Sequence, residues 1–189
     1  MDDLGRRLGV HPVQGGKHRG RGTHNALLGL AGGAYLEIIA FDPEDPAPKR
    51  APLFRLDAFA LPRLVSFAVG VKDIDVVVER ARRAGYDPGQ AESMSRLRSD
   101  GTLLRWRLTP PPSADDFVIP FLIDWGDTPH PSQTSPEGVR LIELQAEHPE
   151  PEAIARALAA LGVNMAVRAA REPALVATLD SSAGRIILR

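Results

Sequence analysis

Cysteine is absent from this 189-residue chain, and three kinds of chemistry are absent with it. The fold has no disulfide to stabilise it, so it must depend on packing alone. No thiolate is available as a nucleophile, and no zinc ion can be held by cysteine ligands. Any metal site in this chain must therefore use histidine and carboxylate ligands.

An excess of charge of either sign is also missing, since 23 lysine and arginine residues oppose 24 aspartate and glutamate residues. A chain so nearly neutral has no field that would attract nucleic acid or an anionic membrane. No stretch approaches the roughly 18 apolar residues of a membrane span, and the N-terminus lacks the apolar core of a signal peptide. We expect a cytoplasmic globular protein with neither nucleic acid nor membrane as partner.

Three catalytic motifs are missing as well. The chain has no G-x-S-x-G, H-E-x-x-H or G-x-G-x-x-G segment, which argues against a serine hydrolase, a zinc metalloprotease and a dinucleotide-binding enzyme. Proline and glycine, by contrast, are plentiful, with 17 of each, and most lie between apolar runs. This punctuation predicts many short elements joined by tight turns.

A helix that ends at a glycine is predicted three times along the chain. Apolar residues recur at helical spacing before Gly85 and before Gly162, with Asp73 as a plausible N-cap and Pro151 in the first helical turn. A shorter fragment of the same kind precedes Gly9. The nearly equal spacing of the three glycines indicates a repeated unit.

Runs rich in valine, isoleucine, leucine and aromatic residues follow each glycine, and an apolar strand precedes the second and third helices. We predict an α+β fold of repeated βαβββ modules whose curved mixed sheets surround a cavity. The first module lacks its opening strand, so a homodimer that completes the module is attractive. The predicted modules are residues 1–62, 63–137 and 138–189, with proline-rich joints at residues 43–62 and 127–138.

Two short motifs near the N-terminus, GTHNALL at residues 22–28 and AYLEIIA at residues 34–40, are the most specific features of the sequence. Together with PFLIDWGD at residues 120–127 and the repeated strand–helix–glycine pattern, they resemble a glyoxalase-like protein of the vicinal oxygen chelate (glyoxalase/bleomycin resistance/dioxygenase) superfamily. The resemblance covers most of the chain. It implies paired βαβββ modules around a cavity that holds a divalent metal ion in many relatives.

The resemblance also implies which residues would hold that metal. Glu37 in YLEII takes the place of the glutamate that the family carries on the last strand of a module, and Asp124 in FLIDW is a looser counterpart in the second module. His24 in GTHNALL is the third expected ligand. A pocket without a metal ion is the alternative, and a turn-capping role is the alternative for Asp124.

Glu37 and His24 are also the expected catalytic residues. A carboxylate between Leu36 and Ile38 is costly to bury unless it is paired, protonated or bound to an ion, and a histidine exchanges protons near neutral pH. We expect the two side chains to face one shared cavity. The alternatives are a sheet-edge glutamate facing water and a histidine bonded to backbone.

Four residues are expected to contact a substrate. Trp106, Phe121 and Trp125 would form the aromatic wall of a pocket, and Asn25 is a further candidate, although it would alternatively secure the turn before its strand. The glycine-rich segment at residues 10–22, which contains His18, is expected to be a solvated loop with donors for an anion. His130 and His148 are expected at the surface.

The expected ligand is a small oxygen-rich or aromatic molecule. If the protein is an enzyme, the resemblance implies a lyase or isomerase that acts through an enediolate-type intermediate. A dioxygenase is less favoured, because such iron sites use two histidines and one carboxylate. The alternatives are a non-catalytic protein of bleomycin-resistance type that binds or sequesters a small molecule, and a scaffold whose sheet face serves only dimerisation.

Overall fold

The computed structural model describes residues 1–18, 21–45, 54, 56, 61–97, 101–112 and 116–189. Within these ranges it contains three α-helices and two mixed β-sheets. The helices are α1 (Asp2–Leu8), α2 (Ile74–Arg83) and α3 (Pro151–Ala160), and a short 3₁₀-helix spans Pro131–Thr134.

Eleven strands are found among the described residues. The first unit contributes β1 (Val13–His18), β2 (Thr23–Leu30) and β3 (Ala34–Phe41); the second, β4 (Ala68–Gly70), β5 (Glu92–Leu97), β6 (Leu103–Leu108) and β7 (Phe121–Asp124); the third, β8 (Val139–His148), β9 (Ala166–Ala169), β10 (Ala174–Ser181) and β11 (Gly184–Leu188).

The three helices end as the sequence predicts. Gly9, Gly85 and Gly162 all have positive φ values, of 69°, 92° and 76° respectively, a conformation that glycine adopts without steric cost. Each helix is followed by a strand, β1, β5 or β9. The prediction of three helices that each end at a glycine is therefore confirmed, whereas β1 lies in a segment predicted to be a loop.

The predicted hairpin of the first unit is also confirmed, because β2 and β3 coincide with the two apolar runs that predict them. The long strand predicted over residues 117–125 is shorter than expected. Only Phe121–Asp124 is extended, since Val118 and Ile119 are buried in a turn closed by a hydrogen bond from Ile119 N to Asp116 O.

The second unit forms a complete βαβββ module. Its sheet has the order β4-β7-β6-β5, in which β4 and β7 are parallel and the other neighbours antiparallel. The seven-stranded sheet combines the other two units in the order β1-β2-β8-β10-β11, with β3 beside β2 and β9 beside β8. The predicted α+β class with mixed sheets is confirmed.

The third unit is connected differently from the second. Its opening strand β8 pairs in parallel with β9, which directly follows α3, and antiparallel with β10. The first unit joins it through a single parallel pair, Leu30 and Val139. The second and third units therefore share an element order but not a pairing order, and the residue boundaries predicted for the three modules stay a prediction.

The core places the helices on one side of each sheet. The larger apolar cluster contains α2 and α3 with strands of the second and third units, including Leu122, Leu158 and Leu175. The smaller cluster packs Leu8 of α1 against Leu28 of β2. The opposite face of the β1–β2–β3 sheet is left to face the second unit, as the proximity of Gly16 to Arg96 of β5 shows.

Only one of the two predicted proline-rich joints lies largely within the described residues. Most of the joint predicted at residues 43–62 lies outside the described residues. The joint at residues 127–138 contains the 3₁₀-helix Pro131–Thr134. Among the helices in the described part of the chain, none has the length and apolar character needed to cross a membrane.

A matched pair of valines on α2 tests this packing. Val78 is 4% exposed and lies in the larger cluster, whereas Val76 on the outer side of the same helix is 67% exposed. We expect Val78→Ala to lower the free energy of unfolding by about 2 kcal/mol. Val76→Ala is expected to change it by less than about 0.5 kcal/mol. Equal effects in urea denaturation would contradict the burial of this helix face.

Candidate functional site

The register of the β2–β3 hairpin separates the two expected catalytic residues. Leu27 pairs with Glu37, Asn25 with Ile39 and His24 with Ala40. Because successive side chains of a strand point to opposite faces, His24 lies on the face of the sheet opposite to Glu37. The prediction that His24 and Glu37 share a cavity is therefore wrong. Their functional roles are not tested by this geometry.

The histidine that does lie beside Glu37 is His18. The segment predicted to be a solvated loop contains strand β1, and β1 pairs His18 with Thr23 and Gly16 with Asn25. His18 therefore shares a face with Asn25 and Glu37, which we call the inner face. A signal for this was present in the sequence, since a short segment ahead of a strong hairpin strand can pair with it through a tight turn.

Asn25 contacts both of the other residues. Its Nδ2 donates a hydrogen bond of 2.5 Å to Glu37 Oε1 and lies 3.4 Å from His18 Nε2. His18 Nε2 is also 3.6 Å from Glu37 Oε1, and His18 Nδ1 is 2.9 Å from Thr23 Oγ1. We call these three residues the His18–Asn25–Glu37 cluster. The expectation that Asn25 secures the preceding turn is wrong.

These contacts assign the protons of the cluster. The Asn25 amide has two N–H donors, and each faces an acceptor when His18 Nε2 carries no proton. Nδ1 of His18 then carries the ring proton and donates it to the Thr23 hydroxyl. A proton on Nε2 would instead oppose the N–H groups of Asn25, so the arrangement favours the neutral imidazole.

The electrostatic environment shifts the pKa values of the cluster in opposite directions. Burial, together with the nearby charges of Arg96, Arg21 and His24, lowers the pKa of His18 to about 4. Burial raises the pKa of Glu37, although the Asn25 hydrogen bond and the Arg96 charge act against the rise. His18 is therefore a neutral imidazole at pH 7, next to a carboxyl group that holds its proton more tightly than usual.

Two glycines of β1 make room for this cluster. The register of β1 against β2 shifts between Gln14 and Gly16, leaving Gly15 as the extra residue of a bulge. A Cβ at Gly15 would overlap Asn25 Oδ1, and a Cβ at Gly16 would overlap Arg96 Nη1. The buried side chains of Asn25 and Arg96 thus approach the β1 backbone only because both positions are glycine.

Aromatic rings extend the inner face away from Glu37. Trp106 and Trp125 are 5.1 Å apart, Trp125 and His130 are 6.0 Å apart, and His130 packs edge-on against Tyr35 at 5.3 Å. Tyr35 lies on the same face as Glu37, two residues along β3, and burial followed by the Glu37 charge raises the pKa of its hydroxyl. Trp106 and Trp125 are thus joined to the cluster through His130 and Tyr35.

The other aromatic and histidine predictions have different outcomes. Phe121 packs against Phe54 at 6.1 Å, and nothing in the described structure links it to the cluster. His130 is partly buried among aromatic rings, and His148 is buried and accepts a hydrogen bond from Glu150 N ahead of α3. The expectation of a surface position is wrong for His148, whereas His130 is partly exposed. Substrate contact by Asn25, Trp106, Phe121 and Trp125 stays a prediction.

A small cavity of about 40 Å³ is lined by Gly15, which lies against Asn25, and by Leu27, which pairs with Glu37, but not by the three residues of the cluster themselves. It is far smaller than the roughly 300–1,000 Å³ of a pocket for drug-sized molecules, and it has room for only a few heavy atoms. Arg96 is its one charged lining residue among those described. The cavity is lined by Val13, Gln14, Gly15, Leu27, Arg96, Leu104, Pro129, Pro131, Thr134 and Ser135.

A wider groove lies elsewhere, beside the turn between β2 and β3. Its volume is about 580 Å³, and its walls include Gly32, Gly33, Arg140 and Asp180. Arg140 and Asp180 are already paired with each other at 3.0 Å. None of the residues expected to be functional lines this groove.

Both carboxylate oxygens of Asp124 accept hydrogen bonds from backbone N–H groups. Oδ2 accepts a hydrogen bond of 3.2 Å from Ile74 N at the start of α2, and Oδ1 accepts one of 2.9 Å from Gly126 N. Asp73, the predicted N-cap of α2, makes no capping bond with its side chain. Asp124 therefore caps this helix from a strand distant in sequence and also closes the following turn.

The metal site implied by the resemblance does not fit these positions. His24 and Glu37 lie on opposite faces of their sheet, and Asp124 is occupied with backbone N–H groups. Across the described ranges, no three histidine or carboxylate residues are grouped closely enough to hold a metal ion. The prediction of a ligand set made of His24, Glu37 and Asp124 is therefore wrong.

A comparison with known families agrees with this architecture. A family model described as a glyoxalase-like domain matches residues 1–162. The chain belongs to this family. The glyoxalase-like domain is part of the vicinal oxygen chelate superfamily, so the resemblance seen in the sequence is confirmed.

A solved structure also resembles this glyoxalase-like chain. It is the crystal structure of a hypothetical protein from Staphylococcus aureus, with a TM-score of 0.60 and 11% sequence identity, covering 86% of this chain and 79% of the other. At that identity the likeness shows a shared fold only. No curated protein sequence matches the chain.

The depressed pKa of His18 makes a prediction about acid stability. Between pH 6.5 and about 4 the unfolded chain binds a proton at His18 and the folded chain does not, so acidification over this window favours unfolding. Wild type should lose up to about 3 kcal/mol more stability than His18→Gln when the pH falls across it. Urea denaturation at several pH values measures the difference.

The raised pKa of Glu37 acts with the opposite sign, because its contribution to stability is lost as the pH rises above 4.5. Glu37 is present in both proteins, so comparing wild type with His18→Gln isolates the histidine. An equal loss in the two proteins on acidification, or a greater loss in the variant, would show that His18 is not held neutral.

Proposed function

We propose that this glyoxalase-like chain binds a small oxygen-rich molecule in the cavity beside the His18–Asn25–Glu37 cluster, and that His18 and Glu37 exchange protons with it. The single observation that carries the proposal is the placement of the Asn25 amide, with Nδ2 at 2.5 Å from Glu37 Oε1 and 3.4 Å from His18 Nε2. This placement supports a site in which His18 and Glu37 are held in fixed positions next to each other before a ligand binds.

Two pKa shifts accompany this arrangement. The lowered pKa of His18 leaves Nε2 unprotonated at neutral pH, and burial raises the pKa of Glu37. Environments that separate the pKa values of two neighbouring groups are typical of acid–base pairs. His18 Nε2 would take a proton from a carbon next to a carbonyl, and Glu37 would return one.

Arg96 would stabilise the charge that develops in that step. When the carbon loses its proton, the electron pair of the C–H bond moves onto the carbonyl oxygen and forms an enediolate-type anion. The buried guanidinium of Arg96 lines the cavity and supplies fixed positive charge in a poorly solvated place, where such charge is most effective. Return of a proton to the neighbouring carbon, with transfer of the hydroxyl proton between the two oxygens, would complete an isomerisation. Departure of a substituent from the next carbon with the electron pair of its bond, as the oxyanion returns to a carbonyl, would instead complete a lyase reaction.

Non-catalytic sequestration is the second candidate function. The connected rings of Trp106, Trp125, His130 and Tyr35 favour it, because they offer an apolar wall next to the polar cluster. A sequestering protein would use the same residues without turnover. The homodimer and the cytoplasmic location expected from the sequence stay predictions.

Hydrogen exchange on carbon tests the catalytic proposal without a known substrate. The probe is hydroxyacetone in deuterated buffer, with loss of the carbon-bound proton signals followed by NMR. Wild type is expected to accelerate the exchange, and Glu37→Gln to slow the enzyme-catalysed rate by about 100- to 10,000-fold. A glutamine still accepts the Asn25 hydrogen bond, so the free energy of unfolding should change little.

Two controls accompany that experiment. Glu143→Gln alters an exposed glutamate on β8, and His24→Gln removes the histidine on the opposite face of the hairpin; both should exchange hydroxyacetone at the wild-type rate. Exchange that survives Glu37→Gln, or is lost with His24→Gln, would contradict the proposal. Binding of hydroxyacetone without any exchange would favour sequestration.

A further inference from the structure

The outer edge of strand β3 is the place where the sheet of the first unit differs from that of the second. In the second unit the strand order is β4-β7-β6-β5, and β4 pairs in parallel with the last strand, β7. The corresponding strands of the first unit are β3, β2 and β1, which pair antiparallel in that order. No described strand lies on the far side of β3. The position that β4 takes beside β7 is therefore open beside β3.

An open strand edge presents backbone N–H and C=O groups that can pair with another chain, and proteins usually protect such edges. Bulges, charged side chains, proline and short strands serve this purpose. The other edge strands within the described ranges have such features. Strand β1 has a bulge at Gly15 and carries Lys17, β4 and β9 are three and four residues long, and β5 and β11 carry Arg96 and Arg185.

Strand β3 has none of these features on its outer edge. Its eight residues, AYLEIIAF, include no lysine, arginine or proline, and they pair with β2 without a register shift. The one charged residue is Glu37, whose carboxyl group accepts the hydrogen bond from Asn25 of β2. Phe41, at the end of the strand, is 49% exposed. A long apolar edge of this kind is suited to pairing with another strand.

We propose that a second copy of this chain occupies the open position, with the two β3 strands paired antiparallel about a two-fold axis at Ile38. A two-fold pair of this kind is closed, so the free edges of both copies are covered at once. It also joins the two seven-stranded sheets into one continuous sheet.

The register follows from the residues that the two strands place opposite each other. Opposite residues of an antiparallel pair lie on the same face of the sheet, so the two-fold axis must pass through a residue and not between two residues. An axis at Glu37 would place two glutamates opposite each other, which is destabilising. An axis at Ile38 avoids that contact and pairs residues 35–41 of both strands. An axis farther from the middle of the strand would leave more of the edge unpaired.

This register brings the second copy to the inner face of the first unit. Glu37 would lie opposite Ile39 of the second copy, and Tyr35 opposite Phe41 of the second copy. The Glu37 side chain is 31% exposed in the single chain, and the isoleucine would cover part of that surface. The phenylalanine would extend the series of rings that contains Tyr35 and His130. Each copy would thus contribute apolar side chains to the candidate site of the other.

Disulfide cross-linking tests the register directly, because the natural chain has no cysteine. In the proposed dimer the two copies of residue 38 have Cα atoms about 4.5 or 5.5 Å apart, within the range of a disulfide. Residue 40 lies opposite residue 36, so its two copies are about 13 Å apart along the strand. Ile38→Cys should form a disulfide-linked dimer under mild oxidation, and Ala40→Cys should not, as read by non-reducing gel electrophoresis.

A second pair of positions serves if Ile38→Cys does not fold. The double variant Leu36→Cys with Ala40→Cys places two cysteines opposite each other in the same register, and it should cross-link although neither single variant does. Cross-linking of Ala40→Cys alone would overturn the register. Absence of cross-linking in both folded Ile38→Cys and the folded double variant would overturn the pairing of the two β3 strands.

Analytical ultracentrifugation tests the association itself. Wild type should have the mass of a dimer. Ala40→Lys should have the mass of a monomer at the same concentration, because it gives the edge a charged side chain opposite Leu36 of the second copy. Val76→Lys is the matched control, since Val76 is 67% exposed on α2, and it should remain dimeric. Circular dichroism should show the same folded spectrum for all three proteins.

The remaining outcomes contradict the proposal in distinguishable ways. A monomeric wild type would overturn it, and slow hydrogen exchange of the β3 amides in that monomer would show that a segment of the same chain covers the edge. A dimer that survives Ala40→Lys would show that the copies associate through another surface. Slow exchange of the β3 amides in wild type, together with fast exchange in Ala40→Lys, supports the proposed pairing.

Discussion

The contact of one amide with two acceptors determines the chemistry of this protein's candidate site. Asn25 Nδ2 faces Glu37 Oε1 and His18 Nε2, so the imidazole is neutral, its proton is on Nδ1 and the amide oxygen points the other way. Burial shifts the pKa of His18 down and that of Glu37 up. A neutral imidazole, a carboxyl group with a raised pKa and a buried amide oxygen that lacks a donor among the described residues are thus placed close together around a single side chain.

The rest of the fold positions the three residues that make this contact. The hairpin register places Asn25 and Glu37 on the inner face, and β1 adds His18 to the same face. The bulge at Gly15 and the absence of a side chain at Gly16 let two sheets approach, so Arg96 reaches the cavity from the second unit. The helices pack on the other faces of the sheets, so the inner face of the first unit lies against the second unit.

Local patterns predicted the elements well and the site poorly. The strands β2 and β3 and the helix-ending glycines follow from alternation, helical spacing and φ preferences, all of which act within a few residues. The strand β1 was missed because Gly15 and Gly16 have low strand propensity; β1 forms because it pairs with β2 and leaves space for Asn25. Asp124 caps α2, which lies 50 residues away in sequence, and no local pattern reports such a contact. The family resemblance predicted the fold, but it also implied a set of metal ligands that His24, Glu37 and Asp124 do not form.

Nitrogen-15 NMR of the His18 side chain tests the central claim most directly, because the chemical shifts of the two ring nitrogens report protonation and tautomer separately. The contacts with Thr23 and Asn25 predict a protonated Nδ1 and an unprotonated Nε2 throughout pH 5 to 7. A protonated imidazolium in that range, or a neutral ring with its proton on Nε2, would contradict the account, because the Asn25 amide could not then donate to both partners.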